Sequence, residues 1–388
     1  MKKLLALCLT ALMLACTACS ATPNLGVDGS DLAPFIIGGI GPLSEDRARY
    51  GTSVMQGAQI AVNEINASGG VNGFRLVLNF QDSKGNGKTA VATYDKLMDN
   101  DMRVLLGGVF SDETEALLPS LERDGILAIT PTASGNDLIE AKNLFRLGYS
   151  NGRVGSIIAD FIADRLLGQT VLVVYSDDVF GGSEVQESLV SVGEGRALRV
   201  CSACIPNEGV PDFDEALDLL ETETPQVLVL ALSPSRAAEF LRLAEWTEES
   251  GITVFCTVPP HGTIRPRNDL SDYDGIALIT AFSPDDERAV TKNFVQNYQD
   301  AYDEIPDRYA ADAYDAVYAI AEAIRRAGIT PRNVENDDFH TKMISAMTKV
   351  EVQGVTGTLS WTTDGESTRA AAVKIYREGA YLPYQPAA

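Results

Sequence analysis

The hydrophobic positions of this chain change period repeatedly, from short continuous runs to one-sided helical stripes and back. Phe35-Ile36-Ile37-Gly38-Gly39-Ile40-Gly41 reads as a buried strand running into a glycine-rich turn. From Thr52 to Asn66, the residues Val54, Ala58, Ala61, Val62 and Ile65 fall on one helical face, which Gly69-Gly70 terminates. The pattern then predicts a strand at 75–80, a helix at 88–98, a strand at 104–106, a helix at 113–122 and a strand at 126–130. Phe145 to Gly148 closes this set. A second set follows, with helices at 154–167, 182–192, 213–220 and 236–248 between strands at 171–175, 198–201, 227–232, 253–257 and 276–280. Alternation of this kind predicts βαβ units, and two such sets predict two lobes with parallel sheets. Long helices at 287–302 and 309–327 and strands at 355–361 and 371–376 end the chain, so both lobes should receive late segments.

The first residues follow neither pattern. Lys2 and Lys3 precede an apolar stretch, Leu4 to Ala15, that is too short for a bilayer span and suits an export signal. Ala15-Cys16-Thr17-Ala18-Cys19-Ser20 follows, resembling a bacterial lipobox with Cys19 or Cys16 as the lipid attachment site. Thr-Ala-Cys-Ser makes Cys19 the better local fit, although neither cysteine has a leucine three residues upstream. The plainer reading is a secretory signal with incidental cysteines. The expected division is a leader at 1–19 and a polar tether at 20–33, ahead of the folded body.

With 388 residues the chain is long for one core and comfortable for two α/β lobes. A net charge of -23 and the lack of any basic block with interleaved aromatics argue against nucleic-acid binding. Beyond the leader, the cysteines are Cys201, Cys204 and Cys256. The Cys201-x-x-Cys204 spacing lacks the further ligands of a zinc site, and in an exported protein a local disulfide is the expected fate.

Several segments together resemble the leucine/isoleucine/valine-binding protein family, type I periplasmic-type binding proteins of ABC importers. They are Phe35–Gly41 with Pro42-Leu43-Ser44, Tyr50-Gly51, and Gly57-Ala58 through Gly69-Gly70. Gly107-Gly108 with Ser111, Thr130-Pro131, Asp177-Asp178-x-Phe180-Gly181, Tyr309 to Val317 and Gly354-Val355-Thr356-Gly357 continue the match. The resemblance implies an α/β fold of two doubly wound parallel-sheet lobes joined by three crossovers, with ligand held between them. The crossovers are expected near 148–150, 280–282 and 355–357. Lobe 1 would then hold 34–149 plus 282–355, and lobe 2 would hold 150–281 plus 356–386. It also implies a monomer that captures a small molecule outside the cell, an amino acid or related carboxylate or amide, and passes it to an ABC permease complex. The alternative is an exported sensing domain that hands ligand to a signalling receptor.

By the same resemblance, Ser111 and Thr132-Ala133-Ser134 would meet a ligand carboxylate, while Tyr50 and Phe180 would wall its apolar part and Ser233 would add a second-lobe contact. Ser111 follows a strand and precedes a helix, where unpaired N–H groups favour anions. A plain helix cap, with Asp112 and Glu115 at capping-box spacing, is the competing reading. The chain departs from the family at Val258-Pro259-Pro260-His261-Gly262, where no carboxylate waits for a ligand ammonium and Pro260 or His261 stands instead. Asp177 or Asp178 would have to substitute, or the ligand has no amine.

Catalytic groupings are missing. Only two histidines, His261 and His340, could serve a triad. Gly85-Asn86-Gly87-Lys88-Thr89 imitates the end of a phosphate loop, but Asp82 replaces its first glycine. Asp272-x-Asp274-Gly275 suggests a calcium loop whose first and twelfth positions are Leu270 and Ala281. Neither enzyme activity, metal nor cofactor is expected.

Overall fold

The computed structural model describes residues 32–166, 170–178, 180–207, 209–259, 273–378 and 380–385. The leader with Cys16 and Cys19, and His261 in its loop, lie outside the described residues.

Strands β1 (Ala33–Gly41), β2 (Phe74–Asp82), β3 (Val104–Leu106), β4 (Ala128–Thr130) and β5 (Leu144–Arg146) form an all-parallel sheet in the order β2-β1-β3-β4-β5. Helices α1 (Ala48–Ala67), α2 (Gly87–Met98) and α3 (Ser111–Asp124) connect its strands. β3 and β4 are buried throughout, as strands covered on both faces must be.

The second sheet runs β14-β13-β10-β9-β8-β6-β7. Its parallel part comprises β6 (Thr170–Tyr175), β7 (Arg199–Cys204), β8 (Val227–Ala231), β9 (Thr253–Cys256) and β10 (Ile276–Ile279). Helix α4 (Asn151–Phe161) precedes β6, and α5 (Gly182–Gly195), α6 (Asp214–Glu223) and α7 (Pro234–Leu243) lie between these strands in the chain. Two late strands, β13 (Val373–Arg377) and β14 (Ala380–Pro383), add antiparallel to its β10 edge. The molecule is thus α/β with two doubly wound lobes.

The remaining helices return to the first lobe. α8 (Ala289–Tyr302) and α9 (Arg308–Arg326) pack along α1, and α10 (Phe339–Met347) packs on α9. Gly57 permits the α1–α9 approach: a Cβ there would lie 2.0 Å from the Ala310 carbonyl oxygen. Tyr298 donates to Gln56 Oε1 at 2.6 Å, which fixes α8 against the same helix.

Residues 355–357, expected as the third crossover, instead form the turn of a hairpin, β11 (Glu351–Gly354) with β12 (Gly357–Ser360). Asp315 of α9 holds that turn by accepting the Val355 and Thr356 amides, each at 2.9 Å. The hairpin therefore stays with the first lobe, and the chain returns to the second sheet only at β13. The expected Cys201–Cys204 disulfide is also corrected. Both residues lie on β7 three positions apart, so their side chains leave opposite faces of the strand about 10 Å apart, and both thiols are free.

Candidate ligand-binding site

The turns that follow β1, β3, β4 and β6 all leave the carboxyl ends of parallel strands, the edge where open α/β sheets bind ligands. Tyr50 in the first turn of α1, Ser111 at the start of α3, residues 132–136 and Phe180 follow these strands respectively.

Ser111 opens α3 without capping it. Glu113 reaches back and accepts the amides of Val109 and Phe110, both at 3.2 Å, so the capping partner is Glu113 and not the Asp112–Glu115 pair. The Ser111 hydroxyl is left to accept Gly135 N–H at 2.9 Å and Ser134 N–H at 3.3 Å. Ser111 and the backbone of Ser134 therefore come together. Thr132 and Ala133 turn inward: the Thr132 hydroxyl donates to the Val109 carbonyl at 2.7 Å, and Ala133 sits in the apolar core. Ser233 directly precedes α7, at the carboxyl end of β8.

Tyr50 is buried in an aromatic group drawn from both lobes. Its ring centroid lies 5.3 Å from Phe110, 4.9 Å from Tyr309 and 6.3 Å from Phe180. Phe110 and Phe180 are also 6.3 Å apart. Burial pushes the Tyr50 phenol above its ordinary pKa, and its oxygen accepts from Arg49 Nη2 at 2.6 Å. Gly181, with φ of 66°, turns the chain after Phe180 into α5, and a Cβ there would collide with Asn151.

Beside this group is a cavity of about 880 Å³, whose walls include Arg47, Ser111, Gly135, Asp177, Phe180 and Glu184. Arg47 pairs with Asp112 at 2.9 Å and lies over the Phe110 ring at 4.8 Å, so the acid beside Ser111 is compensated. Asp178 accepts the Ser176 hydroxyl and the Phe180 amide at 2.8 and 2.9 Å, and Asp177 accepts the Ser183 hydroxyl at 2.8 Å. Glu184 of α5 crosses to the first lobe and accepts the Asn136 amide at 2.9 Å. Sequence reasoning missed Arg47, Phe110, Tyr309 and Glu184 as parts of this site. Among the described residues no cluster of side chains is suited to a metal.

The arrangement can wall an apolar group, receive an anionic or carbonyl oxygen at Ser111, and offer carboxylates from the second lobe. The "Periplasmic binding protein" family model matches residues 34–376. A leucine-, isoleucine-, valine-, threonine- and alanine-binding protein of Pseudomonas aeruginosa is 27% identical over 307 residues, which are 74% of this chain and 77% of that protein. Leu/Ile/Val-binding protein homolog 3 of Brucella melitensis is also 27% identical, but the match spans only 56% of this chain and 58% of that protein. The isoleucine complex of LivJ from Streptococcus pneumoniae superposes with a TM-score of 0.74 at 23% identity, covering 91% of this chain and all of that one. A solute-binding protein from Rhodopseudomonas palustris, in complex with 3,4-dihydroxybenzoic acid, gives 0.77 at 17% identity, covering 91% and 96%. This chain belongs to the periplasmic binding protein family, whose members bind solutes and are not enzymes.

Proposed function

We propose that this protein captures an amino acid, or a related carboxylate or amide, between its two lobes and delivers it to an ABC-type importer outside the cytoplasmic membrane. The observation that carries this reading is the meeting of Tyr50 and Phe110 from one lobe with Phe180 from the other, beside the Ser111 hydroxyl. Aromatic walls bury a large apolar area with little entropy loss, and a hydroxyl beside backbone amides suits a carboxylate. Relatives named for branched-chain amino acids, and a structural neighbour holding an aromatic acid, support this ligand range. Lipid on Cys19 or Cys16 would hold the protein at the membrane as a monomer.

A thermal-shift screen tests the reading, with branched-chain and aromatic amino acids, their amides, and acids without the amine. A ligand at one hundred times its Kd adds about 2.7 kcal/mol of stability. Stabilisation by an α-amino acid supports the amino-acid range and directs the search for the ammonium partner to Asp177 and Asp178. Stabilisation by amine-free acids alone moves the ligand to simple carboxylates. No shift with any compound overturns the proposal.

A further inference from the structure

Arg146 ends β5, and its side chain is fully buried. A guanidinium stripped of water needs its donors engaged or an anion beside it. Here Nη1 donates to the Ser134 carbonyl at 3.2 Å and Nη2 to the Gly135 carbonyl at 2.6 Å. Nε has no hydrogen-bond partner, and the Glu366 carboxylate stands 3.8 Å from it. Burial pulls the Arg146 pKa down, while Glu366 and Glu184 oppose that. The charge therefore faces two peptide carbonyls.

Each of those carbonyls shares its amide with an N–H that points into the cleft. The Ser134–Gly135 unit presents Gly135 N–H to Ser111 Oγ at 2.9 Å. The Gly135–Asn136 unit presents Asn136 N–H to Glu184 Oε1 of the second lobe, also at 2.9 Å. A cation bound to a carbonyl polarises the N–H of the same amide. The buried charge is thereby expressed at the cleft surface as two strengthened donors. One already holds a carboxylate from the opposite lobe, whose other oxygen accepts from Asn151 Nδ2 at 2.6 Å. The Arg146 backbone is itself fixed, with its amide on the Gly365 carbonyl at 2.9 Å and its carbonyl accepting Trp361 Nε1 at 2.8 Å.

We propose that Arg146 is a positioning residue of the cleft, aligning and polarising the 134–136 peptides to receive two carboxylates: that of Glu184, which clasps the lobes, and that of the ligand at Ser111. The ligand half rests on the function proposed above; the Glu184 half does not.

Hydrogen–deuterium exchange by mass spectrometry on the ligand-free full chain tests the clasp, comparing wild type with R146K, R146M and E184Q. Residues 134–140 should exchange at least about tenfold faster in R146M and E184Q, with R146K between wild type and these two and with β1 of the same sheet unchanged. Unchanged exchange at 134–140 in all three variants overturns the proposal. So does a rise that appears only in step with β1, a strand of the same sheet as Arg146, because a merely structural arginine would loosen the whole lobe. R146K guards against failure of R146M to fold. For the ligand half, L-leucine and L-leucinamide serve as probes in titration calorimetry. R146K should weaken leucine by about tenfold and leucinamide by less than about threefold. Equal losses overturn the ligand half. If wild type binds neither probe, the same comparison uses the stabilising acid from the thermal-shift screen and its amide, and equal losses there overturn the ligand half; the exchange data decide the Glu184 half separately.

Discussion

The Ser111 hydroxyl is available to a ligand because another residue has taken over the capping of its helix. With Glu113 holding the Val109 and Phe110 amides, Ser111 Oγ accepts from Gly135 and keeps its own proton to donate. Ser111→Ala should weaken binding of the compound found in the screen by roughly 1–3 kcal/mol, the cost of a hydrogen bond to a charged group. Titration calorimetry reads this directly, and an unchanged Kd would remove Ser111 from the site. Ser111, Tyr50 and Phe180 were named through the family resemblance, and Ser111 also because it stands between a strand signal and a helix signal. Arg47, Arg146 and Glu184 were not, because their roles depend on residues distant in the chain. Arg47 needs Asp112, 65 positions away, and Glu184 needs Asn136, 48 away. A buried arginine at a strand end has the same local sequence as an exposed one.

Among the elements, α9 and the β11–β12 hairpin depend on one acid. Asp315 is wholly buried, and burial raises its pKa from 3.8 to about 6, against three hydrogen bonds from Val355 and Thr356 that pull it down. The folded chain thus binds this proton more tightly than the unfolded chain does. The group's stabilising contribution is full below its ordinary value and is lost as pH rises through about 6. Two units correspond to about 3 kcal/mol. Urea unfolding of wild type and Asp315→Asn from pH 4 to pH 7 should show wild type gaining on the variant by about that amount on acidification. A difference independent of pH would mean that Asp315 titrates normally. The long elements were legible because their periodicity is sustained, as in α1 and α9. α10, β11 and β14 were missed: each is short, and β11 and β14 pack at edges that no local pattern announces. The cysteine pair misled for a related reason, since its spacing says nothing until the strand beneath it is known.

At the scale of the whole molecule, the first and third passages between the lobes come together around one buried ion pair. Arg369, between β12 and β13, pairs with Asp312 of α9 at 2.6 Å, both nearly free of solvent. Its guanidinium lies 4.7 Å from the Tyr149 ring centroid, with Arg153 of α4 5.1 Å from the same ring. Arg153 donates to the Ser367 and Arg369 carbonyls at 2.7 and 2.8 Å, and Tyr149 donates to the Ala370 carbonyl at 2.8 Å. The first and third passages are thus bound into one unit, which is where a two-lobed binder must bend. Removing one partner of a buried pair leaves the other charge uncompensated, at a cost of about 3–5 kcal/mol, whereas replacing both with apolar groups of similar volume costs far less. Asp312→Leu alone should therefore lower the urea midpoint sharply, and adding Arg369→Met should recover much of the loss. If the double variant were as unstable as the sum of the two single ones, the pair would matter through its separate contacts with Tyr149 and the backbone. The stronger expectation is recovery, because Tyr149 keeps Arg153 on its ring and its own bond to Ala370 when the pair is gone.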